Sequence, residues 1–365
     1  MFSKRAQWSA PVNELTRERR RLGDLHDLTV TNPTRVGLAY PHEELAEAMA
    51  RGARASYDPD PRGILSAREA LAAELHCHSD DLLLTASTSE AYSFLFKLLT
   101  DPGDAVLTAT PSYPLLEHLA AMELVERRTF AMEFHRRWEI HDVALTPNTR
   151  AIVVIHPNNP TGSFVSLAEQ DALAAHGVPI ISDEVFLDFP LDGTGTTFVR
   201  EDVLTFTLGG LSKSAGLPHF KLGWIRVSGP GKREALDALE LIADNFLSVA
   251  TPVQIALPDL LRIAPRIRAA ISERTRANLD TLRRTFAPIP AARALPVEGG
   301  WSAVIRVPSV RSDEELALAL LGRGVVVQPG YFFDFASDGH LVVSLLTREG
   351  VFADGVQRVA DMIAG

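Results

Sequence analysis

The chain has 365 residues, of which 46% are hydrophobic and 22% are charged, and its formal net charge is −10. This is an ordinary globular composition that can bury a large core, and the length indicates two domains. The acidic balance disfavours a nucleic-acid-binding protein, because such proteins usually present a basic face.

Cysteine usage and hydropathy predict a cytoplasmic protein. The single cysteine, Cys77, cannot form an intrachain disulfide, which is typical of a reducing compartment, and we expect it to be a structural thiol. The N-terminal stretch lacks an apolar segment of signal-peptide length, and no run of about 18 apolar residues predicts a membrane span. We therefore expect no association with a membrane.

Short apolar runs alternate with helical spacing through the middle of the chain. Buried strands are predicted for the runs Leu82–Thr85, Ala105–Ala109, Ala151–Ile155, Val178–Ser182, Val203–Thr207 and Leu222–Val227. Helical spacing recurs over Ser89–Leu99, Tyr113–Ala121 and Leu167–His176. Continuous apolar strands separated by helices predict an α/β fold, with a mostly parallel sheet and helices on both faces.

The pattern changes after residue 250. A long helix is predicted for Pro252–Phe286, and the stretches "GGWSAVIRV", "GVVVQPG" and "HLVVSLL" that follow indicate a smaller α+β unit. We predict that residues 1–40 form an N-terminal arm and part of the small domain. Residues 41–248 are then the large domain, and residues 249–365 are the small C-terminal domain.

Polar residues cluster where four of the predicted strands end. The clusters are Ser87, Thr88 and Ser89; Asn159 in "NNPTG"; Asp183 in "SDE"; and Lys213 in "GGLSKS". Ligands of parallel α/β sheets collect at the carboxyl ends of the strands, so these four clusters predict one common site.

Each cluster also has a purely structural interpretation. Ser87 with Glu90 fits a capping box at the start of a helix, although free amides there also suit a phosphate. Asp183 could likewise be a helix cap, and Asn159 could belong to a plain turn. Lys213 could be an ordinary surface lysine. The ordered combination of all four favours a functional site.

This combination resembles the class I/II aminotransferases, pyridoxal-phosphate (PLP) enzymes with the aspartate aminotransferase fold, known as PLP fold type I. The family's Asn-Pro-Thr-Gly motif matches Asn159–Gly162, its Asp-Glu pair matches Asp183 and Glu184, and its Ser-Lys motif matches Ser212 and Lys213. The matching positions are 24 and then 30 residues apart. The resemblance covers about residues 30 to 350.

The resemblance implies a role for each matching residue. Lys213 would hold PLP as a Schiff base and move a proton between the substrate Cα and C4′ of the cofactor. Asp183 would pair with the pyridine nitrogen, and Asn159 would hydrogen-bond the phenolic oxygen. Tyr113 would stack on the cofactor ring, its alternative being a core tyrosine.

The resemblance also implies a phosphate site and a dimer. Ser87, Thr88 and Ser89 occupy the family's phosphate loop, and contacts from the lysine segment are expected from Ser212 and Lys221. Tyr57 resembles the tyrosine that reaches the phosphate of the neighbouring subunit, which implies a homodimer; its alternative is an ordinary loop aromatic.

Several positions depart from the family pattern. Phe186 stands in place of a tyrosine that bonds the phenolic oxygen, Lys221 in place of a phosphate-binding arginine, and Gly210 in place of a serine. Val342 stands where most relatives carry the arginine that clamps the substrate α-carboxylate. Either the substrate lacks an ordinary α-carboxylate, or another cation such as Arg348 or Arg35 replaces the clamp; Arg348 could also be a solvated loop arginine.

The function expected from the resemblance is transfer of an amino group between an amino donor and a keto acceptor. A PLP-dependent lyase that performs β-elimination is the alternative on the same fold. A PLP-binding regulator without catalysis is disfavoured, because about 30 residues precede the resemblance, too few for the DNA-binding domain of such regulators. Spacings typical of metal ligands, such as H-E-x-x-H and C-x-x-C, do not occur, so we expect no metal.

Overall fold

The computed structural model describes Ser3, Arg5 and residues 12–365. The described helices are α1 (Glu14–Arg19), α2 (His42–Gly52), α3 (Leu65–Leu75), α4 (Thr88–Leu99), α5 (Leu115–Met122), α6 (Leu167–Ala174), α7 (Leu211–Ser214), α8 (Lys232–Asp244), α9 (Thr251–Phe286), α10 (Asp313–Gly322) and α11 (Glu349–Ala364).

The described strands are β1 (His26–Asp27), β2 (Leu82–Thr85), β3 (Ala105–Thr110), β4 (Glu126–Phe134), β5 (Trp138–Ile140), β6 (Thr149–Ile155), β7 (Ile180–Asp183), β8 (Thr205–Gly210), β9 (Gly223–Ser228), β10 (Arg293–Ala294), β11 (Ser302–Arg306), β12 (Val325–Val326), β13 (Gln328–Pro329) and β14 (His340–Ser344).

The larger sheet has eight strands in the order β2-β9-β8-β7-β6-β3-β4-β5. The neighbouring strands β8, β7, β6, β3 and β4 run parallel, whereas β9 and β5 pair antiparallel with their neighbours. The carboxyl ends of the parallel strands therefore meet at one edge of the sheet. The predicted mostly parallel sheet is thus present in the structure.

Apolar side chains on both faces of this sheet explain why helices cover both sides. Successive residues of a strand point to opposite faces, and β2 shows this directly. Leu82 and Leu84 pack in a core with α2, α3 and α9, whereas Leu83 packs in a second core with α4 and α8. Burying each leucine contributes about 1.5–3 kcal/mol by removing apolar surface from water.

Helix α9 joins two hydrophobic cores. Its first half, from Val253 to Ile271, packs in the core that contains Leu82 and Leu84. Its last turns, from Leu279 to Phe286, pack in the core of the C-terminal unit. Neither α9 nor any other described helix combines the length and the apolar character that crossing a membrane requires.

The C-terminal unit contains a four-stranded antiparallel sheet in the order β10-β11-β14-β13. The N-terminal segment joins this unit, because β1 pairs in parallel with β12 and α1 contacts α10. The division of the chain into residues 1–40, 41–248 and 249–365 stays a prediction.

The close approach of α2 to the start of α9 depends on Gly52, the last residue of α2. A Cβ atom on Gly52 would lie 2.6 Å from Cα of Pro252, so one of the two helices would have to move. We expect Gly52→Ala to lower the free energy of unfolding by about 1–3 kcal/mol, measured by chemical denaturation.

Gly322→Ala is the matched control, because Gly322 is also the last residue of a helix, α10, and no atom lies within 4 Å of its Cβ position. Alanine is the better helix former, so this variant should be unchanged or up to about 1 kcal/mol more stable. Equal effects of the two substitutions would contradict the assigned contact.

Candidate functional site

A cavity of about 660 Å³ opens at the carboxyl ends of the parallel strands. Nine residues expected at a common site line it: Ser87, Thr88, Ser89, Tyr113, Asn159, Asp183, Ser212, Lys213 and Lys221. The prediction that the four strand-end clusters lie close together therefore agrees with the structure.

Lys213 lies on the one-turn helix α7, directly after β8. Its Nζ is 5.5 Å from the ring centroid of Trp301 and 5.9 Å from that of Phe186. Among the residues that the structure describes, none hydrogen-bonds this amine. Burial lowers the pKa of Lys213 because it penalises the charged form, and the negative charge of Asp183 opposes this effect. The site therefore favours an uncharged, nucleophilic amine.

Two glycines bring the backbone before Lys213 against its neighbours. A Cβ on Gly209 would lie 2.5 Å from Nε1 of Trp224, which is closer than atoms can approach. A Cβ on Gly210 would stand 3.3 Å from both Cα of Gly223 and the carbonyl oxygen of Leu222. The glycines thus allow β8 and β9 to pair closely beside the cavity.

Asp183 is the last residue of β7, and its carboxylate accepts two hydrogen bonds. The Tyr92 hydroxyl donates to Oδ2 at 3.1 Å, and the backbone N–H of Val185 donates to Oδ1 at 3.2 Å. Burial raises the pKa of Asp183 to about 6, while the two hydrogen bonds and the nearby Lys213 amine act in the opposite direction.

Glu184 does not line the cavity, although it matches the family's Asp-Glu pair. Its carboxylate accepts hydrogen bonds from the hydroxyls of Ser182 and Thr197 and from the backbone N–H of Phe198. Burial raises the pKa of Glu184 to about 7. This side chain therefore fixes the loop that leads to Phe198, which is a structural role.

The Asn159–Gly162 turn links the two units of the protein. The Oδ1 atom of Asn159 accepts a hydrogen bond at 3.2 Å from the hydroxyl of Ser302, the first residue of β11. Gly162 has a φ of 71°, and a Cβ there would lie 2.6 Å from Cγ1 of Val297. A glycine is required at this position both by conformation and by space.

The N-terminus of α4 presents hydroxyls and free backbone amides to the cavity. Ser87 is the N-cap, and its hydroxyl accepts from the backbone N–H of Glu90 at 3.2 Å. The expected capping box is only half formed, because the Glu90 carboxylate accepts from the N–H of Ala86. Within the described chain, the amides of Thr88 and Ser89 make no hydrogen bond. Such a terminus can hold an anion.

Lys221 completes the polar end of the cavity with a positive charge. Its backbone adopts the left-handed conformation, with a φ of 51°, after a single 3₁₀ turn over Pro218–Phe220. The hydroxyl of Ser212 and the amine of Lys221 thus join the α4 terminus around a common space. This donor set suits a doubly negative phosphate.

Several further residues of the cavity wall were not predicted from the sequence. Among them are Tyr92, Trp301, Ser302 and Gln328. Tyr92 could have been found from its position one helical turn after Thr88, which places both on the same side of α4. The three others come from the C-terminal unit, where the sequence carried no signal of a site.

The structure leaves four other predicted residues outside the cavity. Tyr57 is 70% exposed and borders a separate depression next to Leu247. Val342 is buried in β14, where it pairs with Val304 and Gln328. Arg348 lies beside Gly37, and both Arg348 and Arg35 are exposed on the surface. Neither arginine is thus in the place of a substrate clamp within this chain.

Comparison with known proteins identifies the family. A family model described as aminotransferase class I and II matches residues 26–351. The chain is 29% identical to the aspartate/prephenate aminotransferase of Thermus thermophilus, with 99% of this chain and 98% of that protein covered. It is 26% identical to the alanine aminotransferase of Mycobacterium tuberculosis, with 92% and 85% covered.

A solved structure has the same fold. The alanine aminotransferase from Pyrococcus furiosus superimposes with a TM-score of 0.89, at 22% identity, over 100% of this chain and 99% of that one. The predicted fold class, PLP fold type I, is therefore confirmed. The chain belongs to the class I and II aminotransferases, enzymes that depend on PLP to transfer an amino group from a donor to a keto acceptor.

Proposed function

We propose that this aminotransferase holds PLP in the cavity as a Schiff base on Nζ of Lys213. The observation that carries the proposal is the placement of a desolvated lysine and a buried aspartate in one cavity. The amine of Lys213 has a lowered pKa and Asp183 is its charged neighbour there. Lys213 is thus the nucleophile for the aldehyde of PLP, and Asp183 is the anionic partner for its protonated pyridine nitrogen.

The remaining cavity residues fit the other groups of PLP. The α4 terminus, the Ser212 hydroxyl and the Lys221 amine supply donors for the phosphate. Gly210 leaves open a space beside the cavity. A Cβ atom at this position would fill that space and lie 3.3 Å from Cα of Gly223. Asn159 and Tyr113 are proposed to contact the phenolic oxygen and the ring face, respectively.

When bound, PLP supplies a ring that withdraws electrons and so stabilises negative charge at the donor Cα. Lys213 then acts as the base, because the lowered pKa of its amine favours the free amine, which can take the Cα proton. Asp183 holds the proton at the ring nitrogen, which keeps the ring electron-poor. The rings of Phe186 and Trp301 limit the access of water to the Lys213 amine.

We further propose a homodimer in which Tyr57 reaches the phosphate site of the neighbouring subunit. In its own chain, Tyr57 is exposed and lies outside the cavity, so a role at the site needs a second chain. A cytoplasmic location is proposed because the described chain contains one cysteine, Cys77, which is a free thiol.

Reduction with borohydride should fix the cofactor onto Lys213. The purified protein should be yellow, and peptide mass mapping after reduction should place the label on this residue. Lys213→Ala should lose both the label and turnover, because neither the nucleophile nor the base remains. Lys221→Ala is the matched control and should keep the label on Lys213, since Lys221 is proposed to contact only the phosphate. A label on another lysine of the wild-type protein would refute the assignment.

Asp183→Asn should reduce turnover by several orders of magnitude, because the ring nitrogen loses its charged partner.

The pKa of Asp183 is raised to about 6, so its carboxylate is charged above this pH and neutral below it. We therefore expect wild-type affinity for PLP to fall as the pH decreases through about 6, and the affinity of Asp183→Asn to lack this step.

Glu184→Gln is the control for this prediction, because it alters the adjacent buried carboxyl group outside the cavity. It should keep turnover within about tenfold of wild type. If Asp183→Asn also stayed within about tenfold, Asp183 would be only a structural cap.

We propose that the site is adapted to donors other than common α-amino acids. Among the described residues, the cations that line the cavity are Lys213 and Lys221, and both are assigned to PLP. Val342 cannot serve as a clamp because it is a buried aliphatic residue. A charge-assisted hydrogen bond contributes roughly 1.5–3 kcal/mol, so its absence weakens carboxylate binding by about tenfold to 150-fold.

Glutamate, aspartate and alanine should therefore be poor donors, with kcat/KM below about 10⁴ M⁻¹s⁻¹ in half-reactions followed by cofactor absorbance.

A panel of amino acids and amines also distinguishes amino transfer from the alternative lyase reaction. Pyridoxamine phosphate marks transamination, whereas pyruvate and ammonia from cysteine-like donors mark β-elimination. Efficient reaction with the three common donors would overturn the proposal. Loss of that activity in Arg348→Ala would then identify Arg348 as the replacement clamp.

A further inference from the structure

Tyr92 is a buried ionisable residue of the cavity to which the proposed function assigns no role. It lies on α4, one turn after Thr88, and its side chain is 3% exposed. Its ring packs against Phe96 with a centroid distance of 5.9 Å. Its hydroxyl donates to Oδ2 of Asp183 at 3.1 Å.

The carboxylate of Asp183 has few other partners. The backbone N–H of Val185 donates to Oδ1, and Lys213 on α7 acts on the carboxylate through its positive charge. Tyr113, in the segment before α5, is a further ionisable neighbour, and burial and the charge of Asp183 raise its pKa. Among the described side chains, Tyr92 is the one that hydrogen-bonds Asp183. It therefore controls the direction in which Oδ2 points.

Tyr92 is suited to act as a permanent donor. Burial and the negative charge of Asp183 raise the pKa of Tyr92 well above its usual value, so the phenol keeps its proton. A buried hydroxyl without an acceptor is costly, which holds the donor on the carboxylate. Donation to a charged group stabilises that charge and opposes the effect of burial on Asp183.

We propose that Tyr92 is a positioning residue that keeps Asp183 charged and directed at the ring nitrogen of bound PLP. The proposal rests on the function proposed above, in which Asp183 pairs with that nitrogen. The proton between the two groups stays on nitrogen as long as the carboxylate is the weaker base. Loss of the Tyr92 hydroxyl makes Asp183 more basic, so the proton moves towards the carboxylate and the ring loses electron-withdrawing power.

The test uses the holoenzyme loaded with PLP labelled with ¹⁵N at the pyridine nitrogen. In Tyr92→Phe, which removes only the hydroxyl, the ¹⁵N resonance should move towards the position of unprotonated pyridine. The value of kcat should fall by about tenfold or more, whereas KM should stay within about twofold, because the lost interaction acts on the transition state.

Two control variants separate this effect from general destabilisation. Tyr40→Phe also removes a partly buried hydroxyl, one that donates to the carbonyl oxygen of Gly216 at 2.7 Å and does not contact Asp183. Phe96→Leu disturbs the packing around Tyr92 but leaves its hydroxyl in place. Both variants should keep the wild-type ¹⁵N resonance, even where the melting temperature falls.

An unchanged ¹⁵N resonance in Tyr92→Phe would overturn the positioning role, as would equal shifts in the two controls. Borohydride labelling distinguishes this failure from a failure of the proposed function. A label on Lys213 with no ¹⁵N response refutes only the role of Tyr92. A wild-type protein that carries no label on Lys213 refutes the function on which that role rests.

Discussion

The amine of Lys213 is buried between the rings of Phe186 and Trp301, where water cannot compensate a positive charge. Transfer of a charged amine into such a place is costly unless the amine is paired, neutral or covalently bonded. Asp183 is the nearby negative charge that acts on this amine. The rest of the site arranges these two groups: β7 ends at Asp183, β8 leads to Lys213, and glycines let β9 close the wall beside them.

The cavity depends on both units of the protein. The unit that contains the larger sheet supplies Asp183 and Lys213, whereas the C-terminal unit supplies Trp301 and Ser302. Helix α9 fixes the two units by packing in both hydrophobic cores, and the hydrogen bond between Ser302 and Asn159 joins them at the cavity itself. Trp301 packs in the same core as α9, so a change in the packing of α9 would shift the Trp301 ring that lies beside the Lys213 amine.

Much of this arrangement could be predicted from the sequence, because the parallel strands are continuous apolar runs that end in polar residues. Strand β2 has the predicted bounds, and α9 begins within one residue of its predicted start. Strands β4 and β5 were not predicted. They form the edge of the sheet, and β4 begins with three charged residues, Glu126, Arg127 and Arg128, so it lacks the apolar signal of a central strand.

The site was predictable where a short motif carries the chemistry, as at Asp183 and Lys213. It was not predictable where a residue acts through tertiary contact. Tyr92 meets Asp183 across 91 residues of sequence, and Ser302 meets Asn159 across 143. Glu184 shows the opposite case: it belongs to a matching motif but serves the fold, because its carboxylate accepts hydrogen bonds from Thr197 and Phe198 outside the cavity.

The most direct test of the account is a crystal structure of the protein purified with PLP. We predict continuous electron density from Nζ of Lys213 to the cofactor, its phosphate at the N-terminus of α4, and its ring nitrogen within hydrogen-bonding distance of Asp183. Density for PLP at another lysine, or a phosphate bound away from Ser87, Thr88 and Ser89, would contradict the account.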